Sequence, residues 1–239
     1  MSIFNQFLFD PLFNFLVFLY NTIAFQDFGV AIILLTIAIR LILSPLSIKS
    51  IKSQRAIQEL QPKLKEIQDK YKGDKQKQTE ETMKIYKDQK VNPFSGCLPL
   101  IIQLPILIAL YKVSLSGLNS ATLNSLYGFI ARPEHINSTS LGFLDLTAKN
   151  WFLAVFAGLA QFIQSKLSLR KKVTQEKSSK PMAAEALNKQ MLYFFPVITI
   201  MIAGSFPASL SLYWVTTTLF SVGEQLVVNK LLKNGAGNK

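Results

Sequence analysis

Apolar residues fall along this chain in long blocks rather than in alternation. Five blocks approach the roughly 20 apolar residues that a helix needs to cross a bilayer. They are 28–48, 93–113, 150–168, 189–206 and 207–228. The last two meet at Pro207 and predict a tight helical hairpin. A sixth apolar stretch, 11–26, lies between Asp10 and Asp27. As a helix it would be about 24 Å long, short of a hydrocarbon core of about 30 Å. Asn14 and Asn21 stand seven apart, on one of its faces. Residues 1–27 therefore predict an amphipathic helix lying on the extracytoplasmic membrane surface, the alternative being a short sixth span. The first basic residue is Arg40, so a cleavable signal, which needs a charged start, is not expected.

The segment 49–92 is patterned differently. Ile57, Leu60, Leu64, Ile67 and Tyr71 follow a 3-4-3-4 spacing, the seam of a coiled coil. Gly73-Asp74 reads as a turn, and 76–90 as a returning helix with Met83 and Tyr86 facing the seam. The predicted fold is an all-α integral membrane protein: five transmembrane helices, an N-terminal interfacial helix and a cytoplasmic helical hairpin. An extracytoplasmic loop (114–149), a cytoplasmic loop (169–188) and a cytoplasmic tail (229–239) complete it.

Charge orients these spans. Lys and Arg number 26 against 14 Asp and Glu, a formal net charge of +12. With five spans, alternate sides carry 22 and 3 basic residues. The positive-inside rule then puts the N-terminus outside and the C-terminus in the cytoplasm. The same asymmetry explains the basic character without direct nucleic-acid recognition. The charged faces of the hairpin suit solvent, anionic lipid or a protein partner. With one His and one Cys, no zinc cluster or disulfide framework is expected, and no Gly-rich phosphate loop occurs. The chain is read as a non-enzyme without cofactors. Cys97 reads as packing and His135 as an ordinary loop residue.

The most informative residue is Arg40, inside the first span. A mid-span arginine costs about 2.5–3.5 kcal/mol, which ten Ile, Leu and Val residues between Val30 and Leu43 offset. The first four spans contain no Asp or Glu, so Glu224 in the fifth is the single intramembrane candidate partner. A charge so placed calls for a water-filled cavity; the alternative is snorkelling to the cytoplasmic interface. Other polar positions point the same way. Thr36, Arg40 and Ser44 share one helix face, and Gln161 and Gln164 share another. Trp214, Thr218, Ser221 and Gln225 form a row on the fifth span, and Gln103 lies between Pro99 and Pro105 on the second. Together these residues predict a hydrophilic groove open to the cytoplasm.

Five stretches carry a close resemblance to a known family. They are TIAIRLILSPLSIKSIKSQRAIQELQPKLKEIQDKYKGDKQKQ (36–78), NPFSGCLPLIIQLPILIALYKV (92–113), LGFLDL (141–146), FIQSKLS (162–168) and FPVITIMIAGSFPASLSLYWVTTTLFSVGEQ (195–225). The chain resembles the YidC-type membrane protein insertases, whose organelle relatives are the Oxa and Alb insertases, in a short form without a large extracytoplasmic domain. It also departs from forms with a lipoprotein cysteine near the N-terminus. The resemblance puts the family's groove arginine on Arg40, its third-span glutamine on Gln164 and its fifth-span aromatic on Trp214. It implies an ATP-independent insertase and chaperone that moves short polar segments of nascent membrane proteins through the groove and releases their spans into the lipid bilayer. The Sec translocon and the ribosome are further candidate partners, the latter met by a tail holding only Lys230, Lys233 and Lys239. The alternative reading is a small-solute channel or transporter, which commonly shows inverted repeats not evident here. An intramembrane protease would need a His or Asp within a span.

Overall fold

The computed structural model describes residues 3–96, 98–115, 120–134, 136–169 and 183–236. Cys97, His135 and most of the expected 169–188 loop lie outside the described residues. Among the described residues the fold is all-helical apart from one small hairpin. In chain order the helices are α1 (Asp10–Thr22), α2 (Phe28–Lys70), α3 (Lys75–Asp88), α4 (Leu98–Leu115) and a single turn, α5 (Ser120–Leu123). After the hairpin β1 (Thr139–Ser140) and β2 (Leu144–Asp145) come α6 (Trp151–Ser168), α7 (Ala183–Ser205) and α8 (Ala208–Ala236). Among the described residues, only α2 is long and apolar enough on its own to cross a bilayer; Ile101–Ser114 and Leu192–Ser205 are shorter apolar helices. The chain divides into two units, Met1–Ile42 with Leu104–Leu226, and Leu43–Gln103 with Val227–Lys239.

In the first unit, α1 follows a wide π-helical turn, Asn5–Phe9, and buries Phe13, Leu16, Val17, Leu19 and Tyr20. Its asparagine face meets protein. Asn14 donates to Asp10 O and Ser125 O at 2.8 and 3.1 Å and accepts from Tyr127 N at 2.6 Å. Asn21 donates to Ala131 O at 2.7 Å. Buried polar groups persist where they are satisfied in this way.

Residues 136–150 and Asp27 then tie three helix N-termini together. Asp27 Oδ1 accepts from Val30 N at 3.0 Å, capping α2, and from Ser140 Oγ at 2.7 Å, while Oδ2 accepts from Leu141 N at 2.6 Å. Asn150 caps α6 by accepting from Leu153 N. Ala208 N and Ser209 N, at the start of α8, donate to Ala148 O and Leu146 O, so two otherwise orphaned helix donors are satisfied.

Partial burial raises the Asp27 carboxyl, but the donors Leu141 N, Ser140 Oγ and Val30 N favour the anion more strongly and hold it below its ordinary value. A depressed carboxyl contributes stability that is complete above its unfolded value, about 3.9, and is lost as pH falls through the folded one. Asp27→Asn replaces one of the two accepting oxygens by an NH2 and should therefore lower the melting temperature in detergent at pH 7, by the equivalent of about 1 kcal/mol for a partly exposed site. The gap between the two proteins should close below about pH 4.

Helices α6 and α7 pack through small residues. Ala154, Ala157 and Gly158 of α6 are buried, with Ala203 of α7 and the partly buried Ile200, Trp214 and Val215 around them. A Cβ on Gly158 would stand 2.3 Å from Ile200 Cγ1 and 3.0 Å from Pro196 O. Gly158→Val should thus cost about 1–3 kcal/mol through overpacking, read as a lower melting temperature in detergent.

In the second unit, α2 continues without interruption through Pro45 and Pro62, so the expected boundary between 28–48 and 49–92 falls inside one helix. The chain reverses at 71–74, where Gly73 takes φ +103° and Asp74 caps α3 by accepting from Lys77 N at 3.0 Å. Leu60 and Ile67 of the seam are buried. Met83 is exposed, while Tyr86 is partly buried together with Gln78, Glu81, Thr82 and Ile85. The departure is a rotation of about one residue, near 100° on a helix. Gln78 Nε2 fastens that face to Tyr71 O at 2.8 Å. The returning chain is stitched to α2 by Ser50 Oγ, which donates to Ser95 O at 2.6 Å, and by the close Ser95–Ser53 hydroxyl pair.

Candidate functional site

Within the first unit, α2 carries Arg40 in the midst of its apolar run, partly exposed. Its Nε donates to Thr217 Oγ1 of α8 at 2.5 Å. Tyr213 and Glu224 of α8 lie within electrostatic reach of the guanidinium. Glu224 is 8% exposed and Tyr213 2%. Tyr213, Thr217 and Glu224 are spaced 4 and 7, which puts all three on one face of α8. Arg40 is therefore not a cation without a counter-charge, as the first four spans alone suggested. Glu224 on α8 is the acidic side chain within its reach, the kind of partner that keeps a charge at such a place.

The sequence-derived row on α8 is displaced from this face by one residue. Thr218, Ser221 and Gln225 are buried, and Ser221 Oγ is spent on Thr217 O at 3.0 Å. Trp214 is partly buried against the Ala154–Ala157–Ala203 cluster. Gln225 Oε1 accepts from Ser168 Oγ at 3.0 Å and so joins α8 to the end of α6. Gln161 and Gln164 are partly exposed on α6, in a 3-4 row with Ser168. Thr36 is 1% exposed and returns its hydroxyl to Ile32 O at 2.6 Å, so it is satisfied within its own helix. Ser44 and Gln103 belong to the second unit, where both are partly buried.

Sequence reasoning thus missed Thr217 and Tyr213 and undervalued Glu224. The available signal was Glu224 itself: the helix face that holds the one acid of the span is the face a buried cation selects. Chemically the arrangement supplies a fixed cation with several N–H donors, a nearby carboxylate and amide side chains. Among the described residues no group of three or more His, Cys, Asp or Glu gathers as a metal site.

Among the described residues these features define a largely helical protein with one helix long and apolar enough to cross a bilayer and an arginine held between α2 and α8. The chain belongs to the 60Kd inner membrane protein family, whose model matches residues 18–235. Its relatives are YidC insertases. The chain is 37% identical over 209 residues to the membrane protein insertase YidC of Oceanobacillus iheyensis, covering 86% of this chain and 75% of that one. It is 36% identical over 227 residues to the YidC insertase of Fusobacterium nucleatum, covering 94% and 98%. Against the YidC insertase of Syntrophus aciditrophicus it is 35% identical over 222 residues, covering 92% of this chain and 36% of the longer relative.

Proposed function

We propose that this protein is a cell-membrane insertase that draws a short polar segment of a nascent membrane protein partway through the bilayer and releases the adjoining apolar span into lipid. The observation that carries this reading is Arg40: a cation in an apolar helix, partly exposed, and held by Thr217 beside Glu224. Five spans, drawn from α2, α4, α6, α7 and α8, would enclose it. The 22-to-3 basic asymmetry supports an outer N-terminus and a cytoplasmic C-terminus.

The costly step in insertion is moving the polar segment across hydrocarbon. A wet groove reaching into the membrane shortens the dry path, and Arg40 attracts acidic side chains into it. Partitioning of the substrate's own span then drives completion: at about 0.5 kcal/mol per Leu-like residue, 20 residues supply several kcal/mol, so no ATP is required. Gln161 and Gln164 offer amide hydrogen bonds to the passing backbone. The α2–α3 hairpin is suited to meet arriving substrate, and the translocon or ribosome beside it.

Reconstituted vesicles test this directly. Insertion of an acid-flanked single-span protein without nucleotide is the expected result. Passage of small solutes with no insertion would instead favour a channel.

A further inference from the structure

Three bulky apolar side chains protrude from the end of the first unit where α2, α6 and α8 begin. Phe25 is 96% exposed, Leu141 67% and Phe143 79%. Their backbones are unusual. Phe25, Gln26 and Leu141 take φ of +53°, +59° and +53°, and Gly142 follows Leu141 at +78°. Residues with a Cβ enter this left-handed region at a cost and stay there only where their surroundings impose it. Turns that need this conformation normally use Gly or Asn. Here the constraint is Asp27, which accepts from Ser140 Oγ and Leu141 N on the hairpin and from Val30 N on α2. Phe25 stands two residues before it, and Phe143 closes the same hairpin loop through its N–H to Ser140 O. The Asp27 carboxylate thus ties the hairpin tip to the start of α2, and the backbone bonds from Gln26 N to Tyr20 O and from Asp27 N to Ala24 O hold the Phe25 turn beside it.

The chemistry at these tips selects the occupant. Residues 23–27 and 139–148 contain no Lys or Arg, and the exposed Lys149 follows only at the foot of α6, so the tips themselves make an apolar contact. Single side chains raised on loop tips need no shaped hollow, and they suit fluid acyl chains better than a folded partner. α6 starts a few residues beyond the hairpin, and its exposed row of Phe152, Phe156, Leu159 and Ile163 is the face a spanning helix turns to lipid. We infer that the Asp27 knot holds Phe25, Leu141 and Phe143 in the headgroup–acyl boundary of the outer leaflet, as a lipid anchor for the outer ends of α2 and α6. This inference rests on the membrane-spanning reading above.

Spin labels test it in the full-length protein reconstituted into phosphatidylethanolamine–phosphatidylglycerol vesicles. Cys97→Ala removes the chain's one cysteine. Labels then go singly at Phe25→Cys, Leu141→Cys and Phe143→Cys, with Phe156→Cys on α6 and Glu80→Cys on α3 as references. Each is scored by collision with oxygen, which concentrates in lipid, against a water-soluble nickel chelate. The expected result is an oxygen-to-nickel ratio at the three tips several-fold above that at Glu80→Cys and approaching that at Phe156→Cys. Nickel-accessible tips beside an oxygen-accessible Phe156→Cys would overturn the anchor and leave the spanning reading intact. Immobile labels shielded from both agents would assign the tips to a protein contact, such as a second copy, and would also overturn it. A nickel-accessible Phe156→Cys would sink the spanning reading, and the anchor with it.

Discussion

Arg40→Ala is expected to reduce insertion of substrates with acidic translocated segments by about 10- to 100-fold, while substrates with neutral flanks lose far less. Two unit charges 4 Å apart at an effective dielectric constant near 20 interact by about 4 kcal/mol. Arg40 is partly exposed and shares its field with Glu224, so about half of that is a realistic loss, which is the stated range at about 1.4 kcal/mol per decade. Arg40→Lys should fall between the two. It keeps the charge but loses the Nε donor that Thr217 Oγ1 receives, and an ammonium does not reproduce the planar fork of a guanidinium. Thr217→Val isolates that positioning contribution and should give a smaller defect than Arg40→Ala. Insertion yield into vesicles, compared across substrates with zero, one and two acidic residues, checks the whole series.

The second large effect concerns stability. Removing one member of a buried charge pair leaves the other uncompensated, at a cost of about 3–5 kcal/mol when both are sealed from solvent. With Arg40 partly exposed, a loss of about 2 kcal/mol is expected for Arg40→Ala. Adding Glu224→Gln to Arg40→Ala should restore most of the melting temperature, because the orphaned carboxylate is gone, yet should not restore insertion. Glu224→Gln alone leaves Arg40 with less competition and should raise capture of acidic segments. Thermal melts in detergent and insertion yields on the four proteins form a double-mutant cycle. It separates the arginine's structural role from its functional one.

How much of this was legible beforehand depends on what each feature asks of the chain. The Val30–Leu43 apolar run around Arg40 announces itself by composition, and α2 follows from it. The hairpin reversal is legible because Gly73-Asp74 supplies both a residue free to adopt φ +103° and a helix cap. The arginine-facing row of α8 was less legible for a physical reason. Polar residues cover a broad arc of that helix, at Ser211, Thr216, Thr217, Thr218, Ser221, Glu224 and Gln225. Periodicity therefore fits more than one face, and a one-residue rotation selects Thr218 in place of Thr217. Met83 was misplaced by the same rotation. Thr36 shows another limit, since a hydroxyl inside a span can line a cavity or bond its own helix, and the spacing is identical. The Asp27 knot joins residues more than a hundred positions apart, which no local pattern can reveal. Asn14 likewise reads as a polar mark on an apolar helix until the loop it satisfies is in view.

A substrate's polar segment is expected to travel past Arg40 rather than through lipid. A photoreactive amino acid at position Gln164, partly exposed on α6, and another at Leu219, exposed on the apolar side of α8, test it most directly. Each protein is illuminated while a stalled single-span nascent chain is present. Crosslinks are expected from position 164 to the polar flank of that chain, lost in Arg40→Ala, with none to that flank from position 219. Equal crosslinking of the flank from both positions, or crosslinking from 164 that persists without Arg40, would contradict it.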